Sequence, residues 1–495
     1  MEKKITTALI SVFNKDGLEP IIKELNRHSV RIISTGGTAD FIRTFNIPVT
    51  DVETITGFPS VFGGRVKTLQ PQIFGGILNR RDNADDQKEK DIHKIEDIDL
   101  VIVDLYPFEE TLKSGASDED IIEKIDIGGI SLIRAAAKNF NDVVVIPSKD
   151  HYSSLAAILE KGNTTTLDER KKYAGSAFEV TSMYDTAIRG YFQGTALRYG
   201  ENPHQKGSFI GDMERIFAIM QGKELSYNNI LDVDAAIRLI NDFKMPAFAI
   251  LKHTNACGLA CGTLDTLSLC KKAYSSDPVS AFGGILVTNQ EVTEDTARYL
   301  VEEIKLFFEI IIAPKFSSQS LEVFAKKPDI RVLETTGTPL PTTELRTSLN
   351  GFLAQDRDIQ TESLDNLKVV TKKIPTDNEK QDMIIASIAA KHLKSNCIAI
   401  VKDGNMITMG AGQVSRVDAL KNALEKAKGF DLHVGGAVLA SEAFFPFPDC
   451  VEIAAASGIT AIVQPGGSKN DQKSIDKADE LGLSMTMTGF RHFKH

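Results

Sequence analysis

Short apolar runs alternate with amphipathic stretches along the first third of the chain. Residues 5–12 read as a strand, 17–26 as a helix, 30–33 as a second strand and 38–45 as a second helix. Further apolar strands are predicted at 99–103 and 143–146. This βαβα rhythm argues for a parallel sheet covered by helices. A long helical pattern over 167–192 breaks at Gly194-Thr195, where the main boundary falls. Beyond it, the apolar run Ala247-Phe248-Ala249-Ile250 predicts a buried strand that ends in Lys-His-Thr-Asn, and 309–314 another that opens with a carboxylate. Residues 376–379 form a capping-box pattern ahead of an amphipathic helix to Leu393. Residues 396–401 and 406–409, separated by Asp403-Gly404-Asn405, read as a β-hairpin. The segment 315–373 is polar, with Thr-Pro repeats at 338–342, and is expected to be largely irregular.

Composition narrows the class. The 495 residues suit about three domains. With 42% hydrophobic and 25% charged residues the chain is ordinarily globular. A net charge of −10 argues against non-specific nucleic-acid binding, so an anionic substrate needs its own basic pocket. Five scattered cysteines do not suggest a disulfide framework and fit a reducing, cytoplasmic compartment. The N-terminus shows no signal-peptide apolar region, and no run reaches membrane-spanning length.

Three loops in the first third carry candidate chemistry. Ser34-Thr35-Gly36-Gly37-Thr38 lies between a strand and a helix, where glycines allow close backbone approach and free N–H groups attract anions. A tight turn with a Thr cap explains the same residues. Ser11 and Lys15, after the first strand, could face the same anion. Gly63-Gly64-Arg65-Val66-Lys67-Thr68 brings two cations together, as a ligand loop or as a solvated turn. Asp126-Ile127-Gly128-Gly129 opens an Ala-rich helix ending at Lys138; its N–H groups offer an oxyanion site, and Asp126 could equally be a cap. Asp104-Leu105-Tyr106-Pro107 ends a strand with a phenol.

These loops resemble the inosine monophosphate (IMP) cyclohydrolase domain of the bifunctional purine-biosynthesis enzyme family. The matching strings are Ser-Thr-Gly-Gly-Thr at 34–38, Thr-Gly-Phe-Pro at 56–59, Gly-Gly-Arg-Val-Lys-Thr-Leu at 63–69, Leu-Tyr-Pro-Phe at 105–108, Asp-Ile-Gly-Gly at 126–129 and Arg-Ala-Ala-Ala-Lys-Asn at 134–139. The resemblance implies a methylglyoxal-synthase-like α/β domain over 1–195. It implies that Lys138, Tyr106 and Asp126 line the cyclisation site. Ser11, Lys15, Thr35, Gly37, Thr38, Arg65, Lys67, Thr68, Asp104 and Gly128 would surround the nucleotide. Asp104 departs from the Asn that often precedes Leu-Tyr-Pro-Phe.

The remainder has its own reactive stretch, Lys252-His253-Thr254-Asn255, which sets a cation beside an imidazole. Taken alone it fits a solvated strand end as well as a base. Arg-Tyr-Gly-Glu-Asn-Pro-His-Gln at 198–205, Lys-His-Thr-Asn, Ser-Asn at 395–396, Gly-Ala-Gly-Gln-Val-Ser-Arg at 410–416 and Ala-Phe-Phe-Pro-Phe at 443–447 resemble, in order, the transformylase half of the same family. What this implies is a duplicated cytidine-deaminase-like α/β region, with subdomains at 196–370 and 371–495. Its reaction is formyl transfer from 10-formyltetrahydrofolate to 5-aminoimidazole-4-carboxamide ribonucleotide (AICAR), giving the formylated nucleotide FAICAR, which then closes to IMP. By the same resemblance His253 is the proton acceptor and Lys252 its electrostatic partner. Arg198, Tyr199, Gly283, Glu309, Asn396, Arg416, Phe444 and Arg491 contact the nucleotide, and Val417, Asp449, Ser468 and Lys469 lie by the folate. The resemblance also implies a transformylase site shared between two subunits, and so a homodimer.

Two rival readings stand beside this one. A catalytically silent purine-nucleotide-binding regulatory protein could share the fold. A zinc-dependent nucleoside deaminase would need His or Cys-x-Glu with Pro-Cys-x-x-Cys. Cys257 and Cys261 lack those partners, so no catalytic metal is expected and buried thiols are the better reading.

Overall fold

The computed structural model describes residues 2–495. The apolar runs of the first unit, which extends to Gly194, become five parallel strands. Their spatial order is Thr50–Asp51, Arg31–Ser34, Thr7–Ser11, Leu100–Val103, Val144–Ile146. Leu100 to Val103 are all buried, as expected of a strand covered on both faces. The helices Leu18–Arg27, Gly36–Arg43, Gly128–Lys138 and Leu167–Gln193 supply the cover, the last starting at a Thr166/Glu169 capping box. The chain leaves Thr7–Ser11 in one direction to form Arg31–Ser34 and returns on its other side as Leu100–Val103. Strand order therefore reverses at Thr7–Ser11, which opens a crevice at the carboxyl ends.

The second unit, Thr195–His495, is built on one twelve-stranded sheet made of two repeats. The first repeat runs through the helix Tyr227–Asn241, the hairpin Ala247–Lys252/Asn255–Cys261 and the helix Thr266–Ser276. It continues with the strands Gly284–Thr288, Phe308–Ala313 and Arg331–Thr335. The second has Asp377–His392, Ile398–Lys402/Asn405–Gly410, Arg416–Gly429, Val438–Ser441, Ala461–Gln464 and Ser484–Met487 in the same order. In each, the third strand lies antiparallel to the first, and the fourth and fifth continue parallel to the third. The helix caps Ser226 and Thr376 are 376 − 226 = 150 positions apart, and the same offset relates Asp232 to Asp382, Lys252 to Lys402 and Asn255 to Asn405. Both hairpins bulge at equivalent places, after Ile250 and after Ile400.

The repeats meet where Asn255–Cys261 pairs antiparallel with Asn405–Gly410, Ala260 opposite Asn405. This register sends the two hairpin tips to opposite edges of the sheet. The tip at His253-Thr254 consequently shares its edge with the strand ends Gly410, Ile398, Ser441, Gln464 and Met487 of the second repeat.

Two expectations change. The segment 315–373 is substantially ordered. It holds the helix Ser318–Ala325, the sheet strand Arg331–Thr335 and the hairpin Thr343–Ser348/Gly351–Asp356. Few apolar residues mark these elements: Val323 and Phe324 anchor the helix, Val332 and Leu333 the strand, and the hairpin is almost wholly exposed, so no alternation signals it. Lys252 to Asn255, read as a strand end, is a tight hairpin in which Lys252 pairs with Asn255.

Residues 491–495 are fastened by an ionic network. His492 Nδ1 lies 2.6 Å from Asp358 Oδ2, and its Nε2 3.1 Å from Glu362 Oε1. Lys494 donates to the His392 carbonyl at 2.7 Å, and His392 and Lys391 meet Asp242 at 2.6 and 2.9 Å. Burial alone would push His492 down, but the two carboxylates outweigh it and lift the imidazole to about 9. Because this lies above the ordinary value, the stabilisation is full below about pH 6.5 and is lost as pH rises through about 9. Unfolding midpoints of the second unit should therefore fall between those pH values, and His492→Gln should flatten that slope; an equally steep slope in the variant would assign it elsewhere. A second expectation concerns close helix-to-strand packing. A Cβ on Gly258 would collide with the Ala273 carbonyl, and one on Gly410 with that of Ala419. Gly258→Ala and Gly410→Ala should each destabilise by about 2–3 kcal/mol in urea titrations, whereas a change below half that would mean the helices shift freely.

Candidate functional site

In the first unit a cavity of about 490 Å³ occupies the crevice at the carboxyl ends of the central strands. Its walls include Ser11, Lys15, Thr35, Gly37, Thr38, Arg65, Lys67, Thr68, Asp104, Tyr106, Asp126 and Gly128. The hydroxyls of Ser11 and Thr35 lie 3.2 Å apart. Thr38 is committed to the fold: its hydroxyl donates to the Val12 carbonyl at 2.9 Å and accepts from the Val12 N–H at 3.2 Å. The helices Gly36–Arg43 and Gly128–Lys138 both begin at the cavity. A Cβ on Gly36 would stand 4.0 Å from Lys67 Nζ, and one on Gly128 3.1 Å from Thr68 Oγ1. Two helix N-termini beside an ammonium and a hydroxyl suit a phosphate or carboxylate. Arg65 is ion-paired with Glu123, and Lys15 Nζ donates to the Val12 and Phe13 carbonyls at 2.9 and 2.8 Å.

Three acidic groups face the same space. Burial raises the Asp126 carboxyl above its usual range, although the Gly129 N–H, donating to Oδ1 at 2.6 Å, and the Lys67 charge pull the other way. Asp126 thus does serve the turn that starts the helix, the cap-like role weighed above. Burial also raises Asp104, which accepts the N–H groups of Phe13 and of Asn14, the latter at 2.9 Å. Tyr106 is raised by burial and by the charges of Asp126, Glu123 and Asp104, so it remains a proton donor at neutral pH. Lys138 is elsewhere. It is exposed at the far end of the helix, about 15 Å from Gly128 at ~1.5 Å per residue. Lys15 and Lys67 are the lysines lining the cavity.

In the second unit the candidate residues gather along the sheet edge that carries the first hairpin tip. His253 and Thr254 occupy the turn with φ of 52° and 64°, where the second repeat has Asp403 and Gly404 at 51° and 74°. Left-handed backbone suits Asp-Gly and strains a β-branched Thr, by roughly 1–3 kcal/mol. Lys252 Nζ donates to the Phe282 carbonyl at 2.6 Å beside Gly283, itself at φ 71°. Along the same edge Glu309 pairs with Arg331 at 3.0 Å. From the second repeat, the Lys394 N–H donates to Asn255 Oδ1 at 3.0 Å, and Asn396 exchanges backbone hydrogen bonds with Gln413 at 3.0 and 3.2 Å. The Arg416 guanidinium stands 5.9 Å from the Phe444 ring and 5.9 Å from Phe493, over which Arg491 also lies at 4.4 Å. Glu442, fully buried, accepts the Cys397 N–H at 3.1 Å and lies 3.9 Å from Arg416.

The remaining candidates lie on other segments of the second unit. Arg198 stacks 5.5 Å over Tyr199 after the strand Gly194–Leu197. Val417 sits in the first turn of Arg416–Gly429, Asp449 starts Asp449–Ala456, and Ser468 and Lys469 follow Ala461–Gln464. Sequence reading passed over Phe493, Arg331, Glu442, Gln413 and Asp232. Two of these had a sequence signal: Gln413 stands inside the string at 410–416, and Asp232 is repeated as Asp382. All five cysteines are buried, with Cys257, Cys261 and Cys450 pushed up to about 12 chiefly by burial. Among the described residues no three His, Cys, Asp or Glu side chains converge as metal ligands, and no helix is long and apolar enough to cross a membrane.

Known proteins resemble this chain over its whole length. The family model described as AICARFT/IMPCHase bienzyme matches residues 136–426, and that of the MGS-like domain residues 17–131. The bifunctional purine biosynthesis protein PurH of Bacteroides thetaiotaomicron is 50% identical, the match covering 100% of this chain and 99% of that protein. The proteins of the same name from Rhodospirillum rubrum and Aquifex aeolicus are 46% and 44% identical, each match covering 99% of this chain and 99% and 100% of theirs. With a methylglyoxal-synthase-like unit followed by a duplicated α/β sheet, and relatives of this identity over its whole length, the chain belongs to the AICARFT/IMPCHase bienzyme family.

Proposed function

We propose that the chain's two reactions are divided between the two places described above, formyl transfer at the sheet edge and ring closure in the cavity. The protein is a bifunctional enzyme of purine biosynthesis, an AICAR formyltransferase and IMP cyclohydrolase. The observation that supports the division is that hydroxyls, cations and two helix N-termini line the cavity of the first unit, while the His253 turn and the Asn396 segment share one edge of the second unit's sheet.

At the sheet edge the amine of AICAR attacks the formyl carbon of 10-formyltetrahydrofolate. The amine is conjugated to a carboxamide-bearing imidazole, so it is a poor nucleophile and needs a base. His253 accepts its proton. The bond from carbon to N10 breaks, N10 takes up a proton, and tetrahydrofolate and FAICAR leave. Lys252 is anchored by the Phe282 carbonyl and keeps two further N–H bonds for the oxyanion. Arg198, Tyr199, Gly283, Glu309, Asn396, Arg416, Phe444 and Arg491 hold the nucleotide, and Val417, Asp449, Ser468 and Lys469 the folate.

In the cavity the carboxamide nitrogen of FAICAR attacks its own formyl carbon, and water is then lost to give IMP. Helix N–H groups at Gly128 and Gly129 stabilise the developing alkoxide. Tyr106 and Asp126, both biased toward their protonated forms, are suited to assist the departure of water. Ser11, Lys15, Thr35, Gly37, Thr38, Arg65, Thr68 and Asp104 surround the nucleotide. Within one chain the catalytic ammonium is assigned to Lys67, because Lys138 lies at the other end of its helix. The protein works on these small molecules, not on nucleic acid or membranes, as a homodimer in the cytoplasm. A silent nucleotide-binding protein would have no use for the strained His253 turn.

His253→Ala should abolish formyl transfer and still cyclise supplied FAICAR, followed by mass spectrometry of the products; loss of both activities would contradict separate sites. Lys67→Ala should slow cyclisation by about 10²-fold or more and leave formyl transfer intact, with Lys138→Ala close to wild type. An equal loss in Lys138→Ala would return the ammonium role to that residue.

A further inference from the structure

The internal repeat isolates what is special about the His253 turn. Each repeat begins with a capped helix that presents an Asp to the backbone of the following hairpin. In the second repeat Asp382 accepts the N–H groups of Asp403 and Gly404, both at 2.8 Å. In the first, half-buried Asp232 accepts the Thr254 N–H at 2.6 Å and engages the His253 N–H as well. The device is the same, yet the loads differ. Asp403-Gly404 is a turn sequence that adopts left-handed backbone readily. His253-Thr254 is not, since Thr at φ 64° is strained. A hairpin that only needed to turn would be relieved by the Asp-Gly of its own duplicate. The strained version persists where the tip carries the imidazole and shares an edge with Asn396 and Arg416.

From this duplication we propose that Asp232 is a positioning residue for formyl transfer: by clamping the backbone of a turn that would otherwise relax, it fixes the imidazole of His253 toward the nucleotide amine. Asp382 is the same clamp without a catalytic burden, because its hairpin tip points to the opposite edge of the sheet. The proposal rests on His253 being the base.

The test is steady-state kinetics of the full-length enzyme with AICAR and 10-formyltetrahydrofolate, beside thermal unfolding and cyclisation of supplied FAICAR. Asp232→Ala should lower kcat for formyl transfer by about 10²-fold, the scale of an ångström-level misplacement. KM for AICAR should stay within about threefold and cyclisation should be unchanged. Asp232→Asn, which keeps an acceptor oxygen, should recover most of the loss. Asp382→Ala should lower Tm yet leave kcat per folded enzyme at the wild-type value. Thr254→Gly removes the strain that the clamp works against, so it should raise or preserve Tm, keep kcat, and restore much of the kcat lost in Asp232→Ala when the two are combined. The proposal is overturned if Asp232→Ala loses no more kcat than Asp382→Ala, or if adding Thr254→Gly to Asp232→Ala restores none of the lost kcat. Retained formyl transfer in His253→Ala would overturn the assignment of the base, and the clamp with it; an inactive His253→Ala beside a fully active Asp232→Ala would overturn the clamp alone.

Discussion

One register determines the architecture of the second unit. Asn255–Cys261 runs antiparallel to Asn405–Gly410, with Ala260 opposite Asn405. Two copies of a hairpin-based α/β unit are thereby fused into one sheet with their tips on opposite edges. The tip of the first repeat shares an edge with the open strand ends of the second, so the proposed site draws on unlike parts of like repeats. Asn255 is where they touch, its side chain accepting the Lys394 N–H from the other repeat. A parallel junction, or a slip of one residue, would turn the hairpin's side chains to the other face of the sheet.

The cavity of the first unit depends on a different arrangement with the same logic. Parallel strands end together, strand order reverses at Thr7–Ser11, and two helices start where the crevice opens. Backbone N–H groups then supply positive potential without side chains. The carboxyls of Asp104 and Asp126 are the counterweight: desolvation raises both above the usual carboxylate range, against the pull of backbone N–H groups and of the Lys15 and Lys67 charges. In the sheet unit the charges are handled by pairing instead, as at Glu309–Arg331 and in the network around His492.

Much of this was legible in the sequence where apolar periodicity and local turn chemistry act alone. The first four strands and helices, the capping box at Thr376 and the hairpin at 403–405 needed no tertiary information. The cavity residues were also legible, because strand-to-helix loops of glycine, hydroxyl and cation carry their chemistry in contiguous strings. What escaped depended on the third dimension. Lys138 belongs to the same string as Gly128, yet ten helical residues separate them in space. Phe493 and Glu442 matter only because strands far apart in sequence end on one edge. The hairpin at 343–356 has no buried face to leave a pattern. The repeat itself was readable at its 150-residue offset, and with it Asp232.

The central claim is that one edge of the twelve-stranded sheet, assembled from both repeats, is where the aminoimidazole nucleotide is formylated. The most direct measurement is the difference electron density of crystals of the enzyme soaked with AICAR. Density for the base and phosphate between the His253 turn and the Asn396, Arg416 and Phe444 segment is the expected result. AICAR bound elsewhere, with that edge left empty at saturating concentration, would contradict it.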